Sequence, residues 1–349
     1  MPRPTVALLG ASGFAGAELI RRLLRHPHFE LVRVCAADHV GEPVAAAHPN
    51  LEGATDLVFE NPPPDRAVAD VDVVVMGLPA AVSIQVVDAT ISGKQRVLDL
   101  SGAFRLKDAE GYARFYGAPH PRPDLMDRFV YGLPELYRER IRGAEYVASP
   151  GCFATTIQLG LLPLARAGLL AGSVHTVAVT GSSGSGVTPT ATTHHPVRAG
   201  NLRTYRPLVH QHTPEIEHTL RAAGARDLSL QFVPVSAPLV RGIFATSFVS
   251  VPEEATAEVA EQTFRQSYDG EPFVRVPRDR QPEVVAVAGS NYAEVGVVAG
   301  PASGGTRTLS CFSALDNLIK GGAGQAIQNL NLMFGFDETL TLEDRGGYP

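Results

Sequence analysis

Cysteine is scarce in this sequence of 349 residues, which contains only three. Cys35, Cys152 and Cys311 lie far apart along the chain, and none belongs to a CxxC pair. This distribution excludes a disulfide-stapled scaffold and argues against a cysteine-based zinc site. Scattered cysteines without a disulfide pattern are typical of a reducing compartment, so we expect a cytoplasmic protein.

The sequence also lacks long apolar runs and an excess of positive charge. No uninterrupted apolar run approaches the roughly 18–20 residues of a membrane span, and the first apolar segment, residues 5–9, is too short and too early for a signal peptide. The 30 basic and 36 acidic residues give a net charge of −6, which argues against a general nucleic-acid binder and a polybasic membrane protein. The length instead predicts two globular domains.

The first 150 residues alternate between short apolar runs and helical patterns. Strands are predicted at residues 6–9, 30–35, 71–76 and 96–100. Helical spacing follows the first of them and the third. This alternation is typical of an α/β domain with a doubly wound parallel sheet of the Rossmann type.

After residue 150 the pattern changes to strands of alternating polarity. They are predicted at residues 173–180, 228–236, 241–251 and 284–299, with a helix at 254–269. This order predicts an α+β domain in which a mostly antiparallel sheet carries helices on one face. Residues 313–334 have the pattern of a last amphipathic helix.

A glycine-rich turn joins the first strand to the first helix. Gly10, Gly13 and Gly16 recur at every third position, which lets the backbone approach a phosphate while the helix N-terminus faces a pyrophosphate. The alternative is an ordinary tight turn between a strand and a helix. Dinucleotide binding is favoured because the motif has the required strand–turn–helix context. We therefore expect a dinucleotide-binding domain at residues 1–150, completed by residues 313–349, and a catalytic and oligomerisation domain at residues 151–312.

Asp38 follows the second predicted strand, 22 residues after Gly16. An acidic residue at about this distance accepts a hydrogen bond from the ribose 2′-hydroxyl of NAD. The alternative, an ordinary solvated loop aspartate, is an equally good interpretation of Asp38.

Cys152 follows Pro150-Gly151 and precedes a predicted helix. A thiol at a helix N-terminus meets the positive end of the helix dipole, which lowers its pKa and favours the thiolate. The alternative is a buried structural cysteine, which is how we interpret Cys35 and Cys311. Cys152 is our candidate nucleophile.

The segment HQHTPE supplies a candidate base. His212 lies three residues before Glu215, which can orient its imidazole across the first turn of a helix. We favour His212 as the base, with His210 as the alternative. No third ligand has a persuasive spacing, so we expect no metal site.

A glycine- and serine-rich stretch, residues 180–186, follows a predicted strand. Ser183 and Gly184 lie within it. Its backbone amides are suited to hold an anionic group, and a flexible lid is the alternative.

Six segments, in order and spread almost end to end, resemble the N-acetyl-γ-glutamyl-phosphate reductases. The resemblance extends to their relatives that act on aminoadipyl or glutamyl phosphate linked to an amino-group carrier protein, and to aspartate-semialdehyde dehydrogenases. The segments are GASGFAG (10–16), DLSGAFRL (99–106), YGLPELYRE (131–139), SPGCFATT (149–156), HQHTPEIE (210–217) and ALDNLIKGGAGQAIQNLN (314–331).

The resemblance implies a reaction and a role for several residues. Cys152 would attack the acyl phosphate, release phosphate and form a thioester, which accepts hydride to give an aldehyde. A histidine of HQHTPE would act as acid and base, and Ser101 and Arg105 would face the phosphate or carboxylate of the substrate. The cofactor would be NADP, contacted by the first motif (including Ser12 and Phe14), by Ser183 and Gly184, and by Asn317 and Gly321.

One departure bears on the cofactor. The family often has a serine–arginine pair after the second strand, suited to the 2′-phosphate of NADP, and here the sequence is Ala36-Ala37-Asp38-His39. NAD therefore stays open beside NADP.

Three functions are compatible with these motifs. The first is reduction of N-acetyl-glutamyl phosphate in arginine biosynthesis. The second is the same chemistry on a substrate carried by a protein: residues 194–200 and 41–44 resemble the carrier-linked branch, and Arg198, Arg203 and Arg206 are candidates to meet an acidic tail. The third is a catalytically inactive dinucleotide-binding regulator, which the intact cysteine and histidine motifs argue against. We also expect a homo-oligomer that associates through the antiparallel sheet.

Overall fold

The structure, a computed structural model, describes residues 2–348. The chain divides into two compact units. The first unit comprises Met1–Ala113, Ala118–Gly151 and Gly322–Glu343, and the second comprises Arg114–Gly117, Cys152–Gly321 and Asp344–Pro349.

The first unit is built around a seven-stranded parallel sheet. Its strands are β1 Thr5–Leu9, β2 Glu30–Cys35, β3 Phe59–Glu60, β4 Val73–Met76, β5 Arg96–Asp99, β6 Val130–Tyr131 and β7 Tyr146–Ala148. They are arranged in the order β3-β2-β1-β4-β5-β7-β6, and every neighbouring pair is parallel. The predicted doubly wound sheet is confirmed, with its change of direction between β1 and β4, where such sheets bind ligands.

Helices cover this sheet because its strands are apolar on both faces. All four residues of β4 are fully buried. The helices up to residue 141 are α1 Phe14–Leu23, α2 Val44–Ala47, α3 Pro64–Ala67, α4 Ala80–Ser92, α5 Ala109–Tyr116, α6 Pro123–Met126 and α7 Pro134–Ile141, with a 3₁₀ turn at Pro49–Leu51. In α1, Leu19, Ile20 and Leu23 form the buried stripe expected of an amphipathic helix.

The second unit contains a seven-stranded mixed sheet. Its strands are β8 Ala171–Thr180, β9 Arg203–Thr204, β10 Arg226–Ser236, β11 Ile243–Pro252, β12 Val274–Arg275, β13 Ala293–Ser303 and β14 Thr306–Leu315. The order is β12-β13-β14-β11-β8-β10-β9. The β8–β10 and β12–β13 pairs are parallel and the others antiparallel, so the predicted, mostly antiparallel sheet is confirmed.

The two faces of this sheet differ in exposure. The second unit adds four helices, which are α8 Cys152–Arg166, α9 His195–Arg198, α10 Thr213–Ala222 and α11 Ala257–Ser267. Three of them, α8, α10 and α11, cover one face of the sheet. On the opposite face Val177, Phe248 and Val298 are 44%, 43% and 45% exposed. Val177 and Phe248 lie on the neighbouring strands β8 and β11, and Val298 lies on β13, which β14 separates from β11. We call these three residues, with the half-buried Phe244 and Phe312, the open sheet face.

Two predicted elements have wrong bounds. The strand expected at residues 284–299 begins only at Ala293, because the carbonyl of Val284 accepts hydrogen bonds from the amides of Val287 and Ala288 and closes a turn. The helix expected at residues 313–334 is three elements: the end of β14, a π-helical turn at Ile319–Ala323, and α12 Gly324–Phe334.

The interruption before α12 has a local cause. The Asp316 carboxylate accepts hydrogen bonds from the amides of Leu318 and Ile319. Side chains that bond to nearby backbone amides compete with regular helix formation. Gly322 then adopts non-helical angles within the π-helical turn. The helix α12 belongs to the first unit, where Asn331 contacts His26 and Asn329 contacts the carbonyl of Gly132.

Within residues 2–348, no helix has the length and apolarity that crossing a bilayer requires.

Candidate dinucleotide and thiol sites

The three glycines of the turn between β1 and α1 have different constraints. A Cβ at Gly10, where φ is +81°, would lie 2.3 Å from the carbonyl oxygen of Gly77, and one at Gly16 would lie 2.2 Å from that of Ala11. A Cβ at Gly13 would meet nothing closer than 3.6 Å. Gly10 and Gly16 are therefore needed for the packing of the turn itself. Gly13 leaves open space at the start of α1, where a phosphate group can approach the backbone.

Hydrogen bonds fix this turn to the neighbouring strand. The amides of Gly10 and Ala11 both donate to the carbonyl of Cys35 at 2.9 Å. The buried imidazole of His48 contacts the carbonyl of Ala11 through Nε2 at 2.8 Å. At the N-terminus of α1, Gly13 is the cap residue and offers no side-chain cap. The first amides of α1 are thus left for a ligand, on a turn that is already rigid.

Ser12 and Asp38 are brought together by the structure. Ser12 Oγ donates a hydrogen bond to Asp38 Oδ1 at 2.5 Å. This bond is the main cause that lowers the pKa of Asp38 below its ordinary value. The carboxylate is exposed and ionised, and it is held against the glycine turn.

Ser101 and Arg105 are buried in the first unit, around the carboxyl end of β5. Ser101 Oγ donates to Asp99 Oδ2 at 2.7 Å, and burial raises the pKa of Asp99, which is fully enclosed. Arg105 donates to the carbonyls of Leu100 and Ser149, at 2.6 and 2.8 Å. The link from Arg105 to Ser149, three residues before Cys152, carries no signal in the sequence and was not expected.

Cys152 differs from the other two cysteines in exposure. It is the first residue of α8 and is partly exposed, whereas Cys35 and Cys311 are buried. Burial raises the pKa of Cys35 to about 11 and that of Cys311 to about 12, so both stay protonated near neutral pH. Cys152 is therefore the cysteine of this chain with the setting of a nucleophile.

Two buried histidines precede α10 in the same unit as Cys152. The rings of His210 and His212 are 4.8 Å apart, and both pack against Phe153, the residue after Cys152. His210 Nδ1 accepts a hydrogen bond from the amide of His212 at 3.2 Å. Burial, with His212 and Arg206 nearby, lowers the pKa of His210 to about 3. His210 is thus a neutral imidazole whose proton is on Nε2.

Glu215 lies in the first turn of α10 and is buried. Its carbonyl accepts a hydrogen bond from Gln158 Nε2, on α8, at 3.2 Å. The helix that follows the histidines is thereby tied to the helix that begins at Cys152.

Tyr205 is a further member of this group that sequence reasoning missed. Its ring lies 5.9 Å from that of His210. Burial raises the pKa of Tyr205, and the nearby Cys152 raises it further. The signal available in the sequence was only its position, five residues before His210.

The glycine- and serine-rich stretch is an ordered turn. Asn317 donates from Nδ2 to Ser183 Oγ at 3.0 Å and accepts at Oδ1 from the amide of Gly242 at 2.7 Å. Ser183 Oγ donates to the carbonyl of Val240 at 2.7 Å. A Cβ at Gly184 would meet nothing closer than 3.6 Å. These bonds argue against the flexible lid, and they join Ser183, Gly184 and Asn317 into one cluster.

Gly321 lies directly against the thiol-bearing residue. A Cβ at this position would lie 2.9 Å from the Cβ of Cys152. The amide of Gly321 donates to the carbonyl of Asp316 at 2.9 Å, which holds the π-helical turn in this place. Gly321 thus lines the thiol site within the second unit.

Arg198 is committed to the fold. Its guanidinium donates to Ser236 Oγ and to the carbonyls of Ala237 and Thr180. It is therefore a poor candidate to meet an acidic tail, whereas Arg203 and Arg206 are both exposed.

No group of three or more His, Cys, Asp or Glu side chains is arranged to hold a metal ion in the part of the chain that the structure describes.

Two family models match most of the chain between them. Residues 5–144 match the semialdehyde dehydrogenase NAD binding domain, and residues 152–317 match the semialdehyde dehydrogenase dimerisation domain.

Full-length relatives fall into two groups by name. A putative [LysW]-L-2-aminoadipate 6-phosphate reductase of Thermomicrobium roseum is 42% identical and covers 99% of both chains. An N-acetyl-gamma-glutamyl-phosphate reductase of Methanosphaera stadtmanae is 40% identical and covers 100% of both. The [LysW]-L-2-aminoadipate 6-phosphate reductase of Deinococcus radiodurans is 39% identical over 99% of both chains.

Solved structures share the fold at low sequence identity. Aspartate semialdehyde dehydrogenase II of Vibrio cholerae has a TM-score of 0.72 at 14% identity and covers 95% of this chain and 98% of its own. Aspartate semialdehyde dehydrogenase of Candida albicans, solved with NADP, has a TM-score of 0.69 at 17% identity, with 95% and 98% covered.

Proposed function

Because this chain belongs to the family of N-acetyl-γ-glutamyl-phosphate reductases and [LysW]-aminoadipate phosphate reductases, we propose that it reduces an N-blocked glutamyl 5-phosphate to the semialdehyde through a thioester on Cys152. The family makes the chain an NAD(P)-dependent oxidoreductase of amino-acid biosynthesis that acts on a phosphorylated acyl substrate.

The dinucleotide fits the residues around the glycine turn. The uncovered space at Gly13 and the uncapped start of α1 suit a pyrophosphate. Gly10, Ser12, Gly13, Phe14 and Gly16 would form this end of the site, with Asp38 at its rim. Ser183, Gly184, Asn317 and Gly321, in the second unit, stay the further cofactor residues that the resemblance implies. When bound, the reduced nicotinamide supplies a hydride.

Cys152 carries the covalent chemistry. Its thiolate sulfur forms a bond to the acyl carbon, and the bond from that carbon to the phosphate oxygen breaks, so that inorganic phosphate leaves. Hydride addition to the thioester carbon, with a proton added to its oxygen, would give a thiohemiacetal. Its hydroxyl then loses a proton as the carbon–sulfur bond breaks, and the sulfur regains a proton. The products are the semialdehyde and the free thiol.

His212 is the proposed acid and base for these proton movements. The strongly lowered pKa of His210 makes its neutral imidazole a weak base. His210 instead presents an Nε2–H donor, which is suited to a developing negative charge on oxygen. Glu215, buried in the first turn of α10, would orient His212. Ser101 and Arg105 stay the residues that the resemblance assigns to the substrate anion, although Arg105 is already bonded to two backbone carbonyls.

One observation carries the proposal. Cys152 is the partly exposed cysteine at the start of a long helix, and it has two buried histidines and Tyr205 in its own unit. Acyl-phosphate reduction through a thioester requires an accessible thiol and an acid–base group beside it. A dinucleotide-binding regulator without catalytic activity does not require this arrangement of a thiol and acid–base side chains.

The carrier-linked substrate is the second candidate. It is favoured by the 42% identity to a relative named as a [LysW]-aminoadipate phosphate reductase. A carrier protein would then be a partner, with Arg203 and Arg206 as candidate contacts for acidic groups. The substrate would otherwise be the free N-acetylated acyl phosphate.

A substrate comparison tests both candidates. The full-length protein is assayed for kcat/KM with N-acetyl-glutamyl phosphate and with the carrier-linked acyl phosphates. A preference for the free substrate of about 100-fold or more would support the first candidate, and the reverse preference the second. Lack of turnover with all of them, with no acyl adduct on Cys152 by mass spectrometry, would contradict the proposed reaction.

We further propose that the protein acts in the cytoplasm as a homodimer. The open sheet face is suited to a second copy of this chain because it exposes several apolar side chains on one face of the sheet. The model that matches residues 152–317 is described as a dimerisation domain, which supports assembly through this part of the chain.

A further inference from the structure

The rim of the dinucleotide turn carries a carboxylate that is held in position. Asp38 accepts a hydrogen bond of 2.5 Å from Ser12, which is itself part of the glycine turn. The amides of Gly10 and Ala11 donate to the carbonyl of Cys35, three residues before Asp38. Hydrogen bonds therefore join the turn to the end of β2, at the Cys35 carbonyl, and to the segment after it, at Asp38. A ligand that lies along the turn must pass close to the Asp38 carboxylate.

The basic side chains in this region are already engaged. Arg33 donates to the carbonyls of Ala67 and Ala69, at 3.0 and 2.9 Å. His39 Nδ1 lies 2.9 Å from Glu42 Oε2, and this pairing raises the pKa of His39.

The charge of the loop after β2 is therefore negative. Residues 36–42 contain two carboxylates and one histidine and no arginine or lysine. Even with His39 protonated, the sum of −2 and +1 leaves the segment at −1. His48, the other histidine near Asp38, is buried and bonded to the carbonyl of Ala11. Nothing on this segment offers the planar, charged donor that usually grips a phosphate.

The adenosine ribose is the part of a dinucleotide that meets such a position. An acidic residue after the second strand of a Rossmann-type unit accepts from the ribose 2′-hydroxyl, and an arginine accommodates a 2′-phosphate. Asp38 has a free oxygen for that hydroxyl once Oδ1 is occupied by Ser12. A 2′-phosphate would bring like charges together there.

We infer that Asp38, fixed by Ser12, is the specificity determinant of the dinucleotide site and that it selects NAD(H) over NADP(H). This inference concerns nucleotide binding and rests on the proposed function only for the reaction in which the dinucleotide is used. It gives this chain a cofactor preference different from that implied by the serine–arginine pair that its family often carries.

Two half-ligands test the inference without turnover. Adenosine 5′-monophosphate and adenosine 2′,5′-bisphosphate differ only in the 2′-phosphate, and their affinities for the full-length protein are measured by calorimetry. For wild type we expect tighter binding of the monophosphate by about fivefold or more. NADH and NADPH, compared in the same way, should give the same order.

The variants distinguish the specific effect of the Asp38 carboxylate from the effect of the overall charge of the unit. Asp38→Asn keeps the size of the side chain and should remove most of the preference, and Ser12→Ala should reduce it by freeing the carboxylate. Glu52→Gln removes another exposed carboxylate from the same unit and should leave the ratio within about twofold of wild type. Thermal unfolding checks that each variant is folded.

Contrary results are distinct from a failure of the proposed function. Equal affinity for the two half-ligands and the two dinucleotides in wild type would overturn the inference, as would tighter binding of the 2′-phosphorylated forms. A preference that Asp38→Asn leaves unchanged would also overturn it. A protein that discriminates as expected but does not reduce any of the acyl phosphates would contradict the proposed reaction and leave this inference standing.

Discussion

At the scale of single residues, the thiol site depends on differences between similar side chains. Three cysteines share one chain, yet burial raises the pKa of Cys35 and Cys311 and leaves Cys152 as the accessible one. Burial also strongly lowers the pKa of His210, which makes its neutral imidazole a weak base. Environment rather than residue type thus divides the proposed roles.

Replacing the nucleophile should abolish turnover while the fold is kept. For Cys152→Ser we expect less than a few per cent of wild-type reductase activity, because the hydroxyl is a far weaker nucleophile than a thiolate. Dinucleotide affinity should remain near that of wild type. The measurement pairs steady-state kinetics with calorimetry, and activity above a few per cent would exclude Cys152 as the nucleophile.

The two histidines should respond differently to substitution. We expect His212→Asn to lower kcat by about 100-fold or more, in the range typical of a general acid–base residue. His210→Asn should have the smaller effect, because a histidine with a pKa of about 3 moves few protons near neutral pH. Turnover of both variants across pH 6–9 decides between them. A mild effect at His212 with a severe one at His210 would reverse the assignment.

Burial of His210 should also make the protein sensitive to acid. Its pKa is about 3 in the folded chain and 6.5 ordinarily, so the unfolded chain binds the proton more readily. With respect to His210, the free energy of unfolding is highest above about pH 6.5 and decreases as the pH falls below that value. The slope approaches about 1.4 kcal/mol per pH unit well below pH 6.5, and the expected loss between pH 7.5 and 5.5 is about 1.4 kcal/mol in total for this one group.

Urea unfolding at pH 7.5, 6.5 and 5.5 measures this slope. His26 and His120 also have pKa values lowered by burial, but they are present in both wild type and His210→Asn. The difference in slope between the two proteins therefore reports His210. Identical slopes would show that His210 is solvated in solution.

At the scale of elements, the sequence predicts those whose pattern is local. The strand–glycine–helix unit from β1 to α1 and the helix starting at Cys152 were both predicted, because apolar spacing and glycine positions specify them within a few residues. The π-helical turn Ile319–Ala323 was not predicted. It depends on the Asp316 carboxylate, which captures backbone amides, and residues 313–334 retain a helical pattern regardless.

The candidate site was predictable to a similar extent. Motifs identified Cys152, the two histidines and the glycine turn. The bond from Arg105 to the Ser149 carbonyl and the position of Gly321 against Cys152 depend on tertiary packing, which has no periodicity in sequence.

The π-helical turn yields a prediction of its own. In Gly321→Ala the new Cβ would crowd Cys152 at 2.9 Å, so we expect kcat to fall about tenfold or more and the rate of Cys152 alkylation by iodoacetamide to change. Gly160→Ala is the matched control, because its Cβ would lie 2.9 Å from Ser313 Oγ. Overpacking should cost both variants about 1–3 kcal/mol of stability. Equal kinetic effects in the two would show that Gly321 has no particular role at the thiol.

At the scale of the whole molecule, the open sheet face determines the expected assembly. Val177→Glu places a charge on this face and should convert a dimer into a monomer, because burying an unpaired carboxylate is costly. Val240→Glu is the control, since Val240 is 73% exposed and lies outside this face. Sedimentation equilibrium measures both variants against wild type. A monomeric wild type, or a dimeric Val177→Glu, would contradict the assembly.

The path of the chain between the two units has a consequence for how such a protein can change over evolution. The main segment of the second unit begins at Cys152 and ends at Gly321. These two residues are in contact, so this segment enters and leaves its unit at almost one point. A segment with neighbouring ends can be exchanged as a cassette, because the host domain loses little when the break is closed. Recombination at these two positions, which are distant in sequence but neighbours in space, would therefore join the same nucleotide-binding domain to a new domain that binds the acyl substrate.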